Sequence, residues 1–231
     1  MRTSGQKQEA LLRLAKIRQA DRRDGYLCLS DIHGGYYECD YVSPWSISAH
    51  DVNADLMIFG KDWASSETLV DRQPDPRRRE LGQGWDVPTN KNLRQYLSDC
   101  MGGLTFPKTY ASNVFPFIKK GKKNSSIPRA DMLYAAEAYA LPQIEIVRPR
   151  MVICLGRPAF DAVGRAAKKL GDIELQEAIA PRPHITIFGA EIYGVPHPSM
   201  YPGGRIAVKQ IWKQLGDRLE ELRDKFPMTA H

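Results

Sequence analysis

Apolar residues along this chain fall into short blocks, separated by polar stretches bearing glycine and proline. Over residues 6–20, Ala10, Leu11, Leu14, Ala15 and Ile17 recur at helical spacing, which predicts an amphipathic first helix. Residues 25–53 are rich in Gly, Tyr, Asp and Ser and predict an irregular or hairpin-like segment. A compact apolar strand follows at 55–60, built on Leu56-Met57-Ile58-Phe59 and ended by Gly60. The polar, proline-bearing stretch 64–88 reads as a long loop, and loops of that length in compact domains tend to be functional or mobile. A helix is expected over 90–100 and a second strand over 109–114, followed by a helix over 129–147 that Pro142 should bend. The third strand spans 150–156, and the helix after it, 158–170, carries proline at its start. Residues 184–188 and 191–195 flank Gly189-Ala190 as a hairpin would, and a last helix covers 205–224.

Strands alternating with helices of this length predict an α/β fold. We expect a single domain with a central, mostly parallel four-stranded sheet, strands near 55–60, 109–114, 150–155 and 191–195, and helices on both faces. No internal repeat or linker interrupts the pattern. The expected organisation is an N-terminal helix and irregular extension over 1–49, then the main domain over 50–231.

With 231 residues, 42% of them hydrophobic, the chain can bury a full core. No apolar run approaches the ~18–20 residues that span a bilayer, and the polar N-terminus lacks a secretory apolar segment. The expectation is a soluble, cytoplasmic monomer with no membrane partner. The formal net charge is +6, with its positives clustered in Arg77-Arg78-Arg79, in Lys119-Lys120-Gly121-Lys122-Lys123, and on the first helix at Arg13, Lys16, Arg18, Arg22 and Arg23. Either run alone suits a solvated loop; together they favour a polyanion, DNA or RNA. The four cysteines, Cys28, Cys39, Cys100 and Cys154, show no C-x-x-C spacing, so reduced thiols and neither metal nor cofactor are expected. Cys154, inside Met151-Val152-Ile153-Cys154-Leu155, reads as a buried and inert thiol.

Two segments follow short apolar strands directly: Gly60-Lys61-Asp62-Trp63 and Pro196-His197-Pro198-Ser199. In an open α/β sheet, loops at the carboxyl ends of the strands converge on one crevice. Asp62 there suits activating water or stabilising a developing cation, and equally suits capping a turn. His197, constrained between prolines, can donate to an oxygen gaining negative charge, or can be a packed loop histidine. Ser199, and backbone amides leading to Gly203-Gly204, would suit a phosphate. Asn113, at the end of the second strand, offers a donor and an acceptor side by side, as reading one edge of a base requires. Trp85, flanked by Gly84 and Asp86, is either a stacking platform for a base or a pin for its own loop.

Taken together, these residues resemble the uracil-DNA glycosylase superfamily. Gly60-Lys61-Asp62-Trp63 matches the Gly and Asp of the family's G-Q-D-P motif, and His197-Pro198-Ser199 matches its H-P-S motif. Tyr110-Ala111-Ser112-Asn113-Val114 is similar to the strand carrying the base-reading asparagine. Ile144-Glu145-Ile146-Val147-Arg148-Pro149-Arg150-Met151-Val152-Ile153-Cys154-Leu155-Gly156-Arg157 is similar to the helix–strand segment of the iron–sulfur branch. Trp85-Asp86-Val87-Pro88-Thr89 parallels the loop bearing a stacking aromatic and a phosphate-contacting hydroxyl.

The resemblance implies a monofunctional enzyme of base excision repair whose partner is uracil-containing DNA. It would flip the base out of the duplex and hydrolyse its N-glycosidic bond. Carried over, Asp62 would orient water and face the sugar cation, and His197 would hydrogen-bond uracil O2. Asn113 would pair with the uracil edge and Trp85 would stack on the base, with Gly60, Lys61 and Trp63 beside it. Thr89 and Ser199 would hold phosphates, Tyr201 would stand at the wedge position, and Arg205 would also contact DNA. The pairwise cysteine spacing of the iron–sulfur branch is missing, which implies no cluster. Trp63 replaces a proline, and Ala64 stands where the best-known branch has the tyrosine that excludes thymine's methyl. Discrimination against C5-substituted bases is therefore open, and so are two alternatives: a glycosylase for hypoxanthine or xanthine, and a non-catalytic nucleic-acid-binding relative.

Overall fold

The structure, a computed structural model, describes residues 2–169, 185–199 and 205–225. Its centre is a five-stranded sheet of β2 (Leu56–Asp62), β3 (Tyr110–Phe115), β5 (Met151–Leu155), β6 (Ile185–Ile187) and β7 (Ala190–Val195), in the order β3-β2-β5-β7-β6. The four expected strands are present and parallel to their neighbours, while β6 adds an antiparallel fifth strand at the edge. That strand comes from the expected hairpin, with its turn one residue earlier than Gly189-Ala190. Ala190 already pairs with Ile187, so Phe188 and Gly189 form the turn, at φ values of 50° and 87°. A two-residue hairpin turn of the mirror-image type needs φ above zero at both positions.

The near-continuous apolar runs of β2, β5 and β7 reflect burial on both faces. On β2, Met57 and Phe59 join one core with α5 (Arg129–Ala135), α6 (Leu141–Val147) and α7 (Arg157–Ala166). Leu56 and Ile58 join the other, with α4 (Pro88–Cys100) and α8 (Arg205–Lys225). Successive side chains on a strand point to opposite faces, so one unbroken apolar run supplies two cores. The bend at Pro142 is absorbed by a wide π-type turn, Ala136–Ala140, that links α5 to α6 without a break.

Two local expectations are corrected. Gly60 does not end its strand: β2 continues to Asp62, which pairs with Phe115. The 64–88 stretch is not a bare loop, since it carries α2 (Ser66–Leu69) and α3 (Pro76–Leu81). The Asp75 carboxylate caps α3 by accepting the Arg78 N–H, with Pro76 in the first turn.

The N-terminal segment packs into the same core as the sheet. Leu11 and Leu14 of α1 (Ser4–Ala20), with Cys28 and Val42, cluster with Met57, Phe59 and Val114. A small ladder between β1 (Tyr26–Leu27) and β4 (Ile118–Lys119) ties it to the chain after β3. Of the expected basic face of the first helix, Arg18 turns into the molecule, while Arg13, Lys16 and Arg22 stay exposed. Arg18 is fully buried against Glu38 at 2.6 Å and donates to the carbonyls of Cys39 and Tyr41, while Lys16 pairs with Asp40 and Arg23 with Asp131. Among the described residues, no helix is long and apolar enough to cross a membrane.

On the second face, Trp212 of α8 stacks on Tyr96 of α4 with ring centroids 5.4 Å apart. One turn on, α8 passes so close to the end of α4 that a β-carbon at Gly216 would lie 1.8 Å from the Cys100 carbonyl oxygen. Gly to Ala in a helix interior ordinarily stabilises, whereas here it must separate two helices. Gly216→Ala should lower the melting temperature by roughly 5–10 °C, on the scale of a ~1–3 kcal/mol overpacking cost. Gly5→Ala, where nothing lies within 4 Å, should not lower it. Thermal unfolding followed by circular dichroism measures both.

Candidate active site

Two parallel strands, β2 and β3, set the centre of the site. Their register places Gly60 opposite Asn113 and Asp62 opposite Phe115. The Asn113 side chain lies across the Gly60 backbone, where a β-carbon would sit 2.6 Å from Asn113 Nδ2 and 3.1 Å from the Trp45 ring. Glycine is the residue that leaves this space open. Asn113 is buried, and its Oδ1 accepts a 2.7 Å hydrogen bond from the Ser43 hydroxyl. The Ser43 oxygen in turn accepts the Trp45 N–H at 3.3 Å.

Two residues beyond Gly60, the Asp62 carboxylate is held on both oxygens. Lys119 Nζ of β4 lies 2.7 Å from Oδ2, and Lys61 Nζ lies 3.2 Å from Oδ1. Lys119 is almost wholly buried. Burial pulls its ammonium below the usual lysine value, and the Asp62 carboxylate opposes that pull. The first lysine of the lysine run is therefore not a solvated loop residue but a buried partner of the candidate acid. A carboxylate has about four lone-pair sites, so an Asp62 gripped this way still has acceptors for a water.

His197 leaves the end of β7, beside Gly156, whose N–H bonds the Val195 carbonyl. The Ser199 backbone N–H donates to His197 Nδ1 at 3.3 Å, and the Ser199 hydroxyl lies 2.8 Å from the same nitrogen. A nitrogen that accepts a backbone N–H carries no proton of its own. The neutral ring is thereby fixed with its hydrogen on Nε2, as a donor. Burial lowers the His197 pKa, the Lys123 and Lys61 charges lower it further, and Asp62 opposes them. Asp62, Lys61 and His197 thus share one electrostatic neighbourhood. The Asn92 carboxamide of α4 donates to the Pro198 carbonyl at 2.8 Å and pins the histidine loop to that helix.

The other expected site residues fall differently. Trp63 turns inward: its indole N–H donates to the Gly82 carbonyl at 2.7 Å, and its ring packs edge-on against Tyr37. Trp85 lines a cavity of about 410 Å³ with Asp75, Arg77, Arg78, Gly84 and Val87, and none of Asp62, Asn113 or His197 borders it. The Arg94 guanidinium lies 3.6 Å from the Trp85 ring centre, so one face of the indole is already occupied. Thr89 sits in the first turn of α4, whose N-terminus has no side-chain cap. Tyr201 lies outside the described residues, and Arg205 is described only as the start of α8. The arginine run of α3 spreads over three aromatic rings, with Arg77 over Trp85, Arg78 over Trp63 and Arg79 over Tyr36.

Ser43, Lys119 and Asn92 hold the candidate residues; the sequence reading passes over Ser43 and Asn92 and takes Lys119 only as part of a basic run. Two signals were there to read. Ser43-Pro44 is a cap-and-start pair for a short helical turn, and Lys119 directly follows the apolar Phe117-Ile118. Among the described residues, no cluster of three or more His, Cys, Asp or Glu side chains could hold a metal ion.

A family model described as the uracil DNA glycosylase superfamily matches residues 48–216. A search of curated proteins finds no match.

Gly60→Ala tests the geometry directly. The added methyl must displace the Asn113 amide, and a displacement near 1 Å typically costs about 10²-fold in turnover. We expect base excision to fall by about that factor while duplex binding stays within two-fold, measured by single-turnover kinetics and fluorescence anisotropy.

Proposed function

The chain belongs to the uracil DNA glycosylase superfamily, a family of DNA glycosylases, and from that premise we propose that it excises uracil from DNA by hydrolysing the N-glycosidic bond. One observation carries the reading: a buried asparagine amide seated over a glycine backbone, two residues from a carboxylate on the same strand end. The target base is flipped out of the stack, and Asn113 reads its edge. Uracil presents an acceptor at O4 and a donor at N3, and cytosine reverses both. A fixed amide therefore separates the two.

As the bond between N1 and C1′ breaks, its electron pair moves onto the base and negative charge collects at O2. The Nε2–H of His197 donates to that oxygen. The sugar left behind carries developing positive charge, which the Asp62 carboxylate faces. Asp62 also orients the water whose oxygen bonds to C1′ and takes the proton that this water gives up, while the departing base anion picks up a proton from solvent. Lys61 and Lys119 hold the carboxylate in place for these tasks. We assign Trp63 to fixing the loop after β2, and Trp85 with Arg77 and Arg78 to the path of the DNA strand. The exposed Lys120, Lys122 and Lys123 add to the field that attracts the polyanion.

Duplexes carrying one uracil, hypoxanthine or xanthine, incubated with excess enzyme and cleaved with alkali at abasic sites, test the reading. Uracil should be removed fastest. No cleavage, or faster removal of a purine base, would overturn it.

His197→Ala should slow single-turnover excision by ~10²–10³, the usual effect of losing one preorganised donor to a developing anion. The pH dependence has a definite sign. Because the pKa of His197 is lowered, the ring stays neutral through pH 7 and protonates only below about pH 6.5, the ordinary histidine value. Protonation puts a hydrogen on Nδ1 against the Ser199 N–H and breaks the turn. The excision rate should therefore be flat near neutrality and fall on the acid side. His197→Gln, which donates without titrating, should be slower overall and lose that histidine-dependent acid limb.

A further inference from the structure

Ser43 lies five residues before the start of the family match, in the N-terminal segment. Its side chain nevertheless makes a buried hydrogen bond to the candidate base reader. We propose that Ser43 is a positioning residue that fixes which end of the Asn113 amide faces the base, and so sets selectivity for uracil over cytosine. The proposal rests on the reading of Asn113 given above.

An amide is nearly symmetric in shape, and rotating its end group by 180° exchanges donor and acceptor. A reader free to rotate would accept cytosine as readily as uracil. Ser43 removes that freedom. Its oxygen already accepts the Trp45 N–H, which leaves its hydroxyl proton to donate, and the acceptor 2.7 Å away is Asn113 Oδ1. Rotating the amide would set the NH₂ group against the Ser43 oxygen and strand the hydroxyl proton where Ser43 is fully buried. The opposite side is closed as well, because Trp45 and Asn113 both press on the space above Gly60. The N-terminal segment therefore closes round the reader with Ser43 and Trp45. Its β1 strand also pairs with β4, which carries the Lys119 that grips Asp62.

Ser46 offers a matched control. It sits on the same short helical turn, is equally buried, and donates to the Ala111 carbonyl on the same strand β3 rather than to Asn113. We would measure single-turnover excision from otherwise identical duplexes carrying uracil or unmodified cytosine at one position. Ser43→Ala should slow uracil removal about ten-fold, as expected for one lost hydrogen bond, and raise cytosine removal above the wild-type level. Ser43→Gly, which keeps a good helix-capping residue, guards against loss of the turn itself and should behave the same way. Ser46→Ala should leave both rates within two-fold. A wild-type uracil rate in the Ser43 variants, cytosine removal at or below the wild-type level, or an equal effect of Ser46→Ala would each overturn the proposal. Asn113→Ala separates the two levels. If it removes uracil at the wild-type rate, Asn113 is not the reader; if it is inactive while Ser43→Ala stays selective, only the role of Ser43 is lost.

Discussion

At Gly60 the backbone of β2 runs directly beneath the Asn113 carboxamide, with no room between them for a β-carbon. The contact depends on parallel pairing in a single register, Gly60 opposite Asn113. A slip of one residue would turn the amide to the other face of the sheet. Register is in turn fixed by burial on both faces, since Leu56 and Ile58 fill one core while Met57 and Phe59 fill the other. The position of a single polar group is thus secured by two hydrophobic cores. Asp62 follows from the same register, because β2 continues past the glycine and brings the carboxylate to the strand end beside Lys119.

The N-terminal segment completes this arrangement and does not merely precede it. Arg18 is buried against Glu38, Arg23 and Tyr26 share Asp131, and Tyr134 and Tyr139 both donate to Asp21. The first of these contacts folds the segment on itself, the others hold it against α5 and the turn after it, and the segment then delivers Ser43, Trp45 and β1 to the site. Among the described residues, Arg18, Arg23 and Lys119 commit their charge to partners within the fold, while Lys120, Lys122 and Lys123 stay exposed.

How much of this was legible in the sequence depended on the range of the interaction. Apolar runs bounded by glycine and proline mark the parallel strands, because burial on both faces demands continuous apolar residues. Asp62 and His197 are legible because each follows such a run, and Asn113 because it interrupts one near its carboxyl end. Ser43 is not: it acts through a contact 70 residues away, and Asn92 acts across 106. Runs of like charge are only partly legible for a related reason. Composition shows where cations are, but not that Lys119 ends in a buried pair or that Arg77, Arg78 and Arg79 each lie over a different aromatic ring. Trp85 was ambiguous because one indole serves equally to pin a loop and to stack on a base.

In the proposed reaction Asn113, Asp62 and His197 close on one base. A crystal structure with free uracil soaked at high concentration tests that closure without relying on turnover. Uracil should lie with its N3 and O4 edge on the Asn113 amide, its O2 within hydrogen-bonding distance of His197 Nε2, and its N1 turned toward Asp62. Uracil bound instead in the cavity beside Trp85, or with its edge turned away from Asn113, would contradict it.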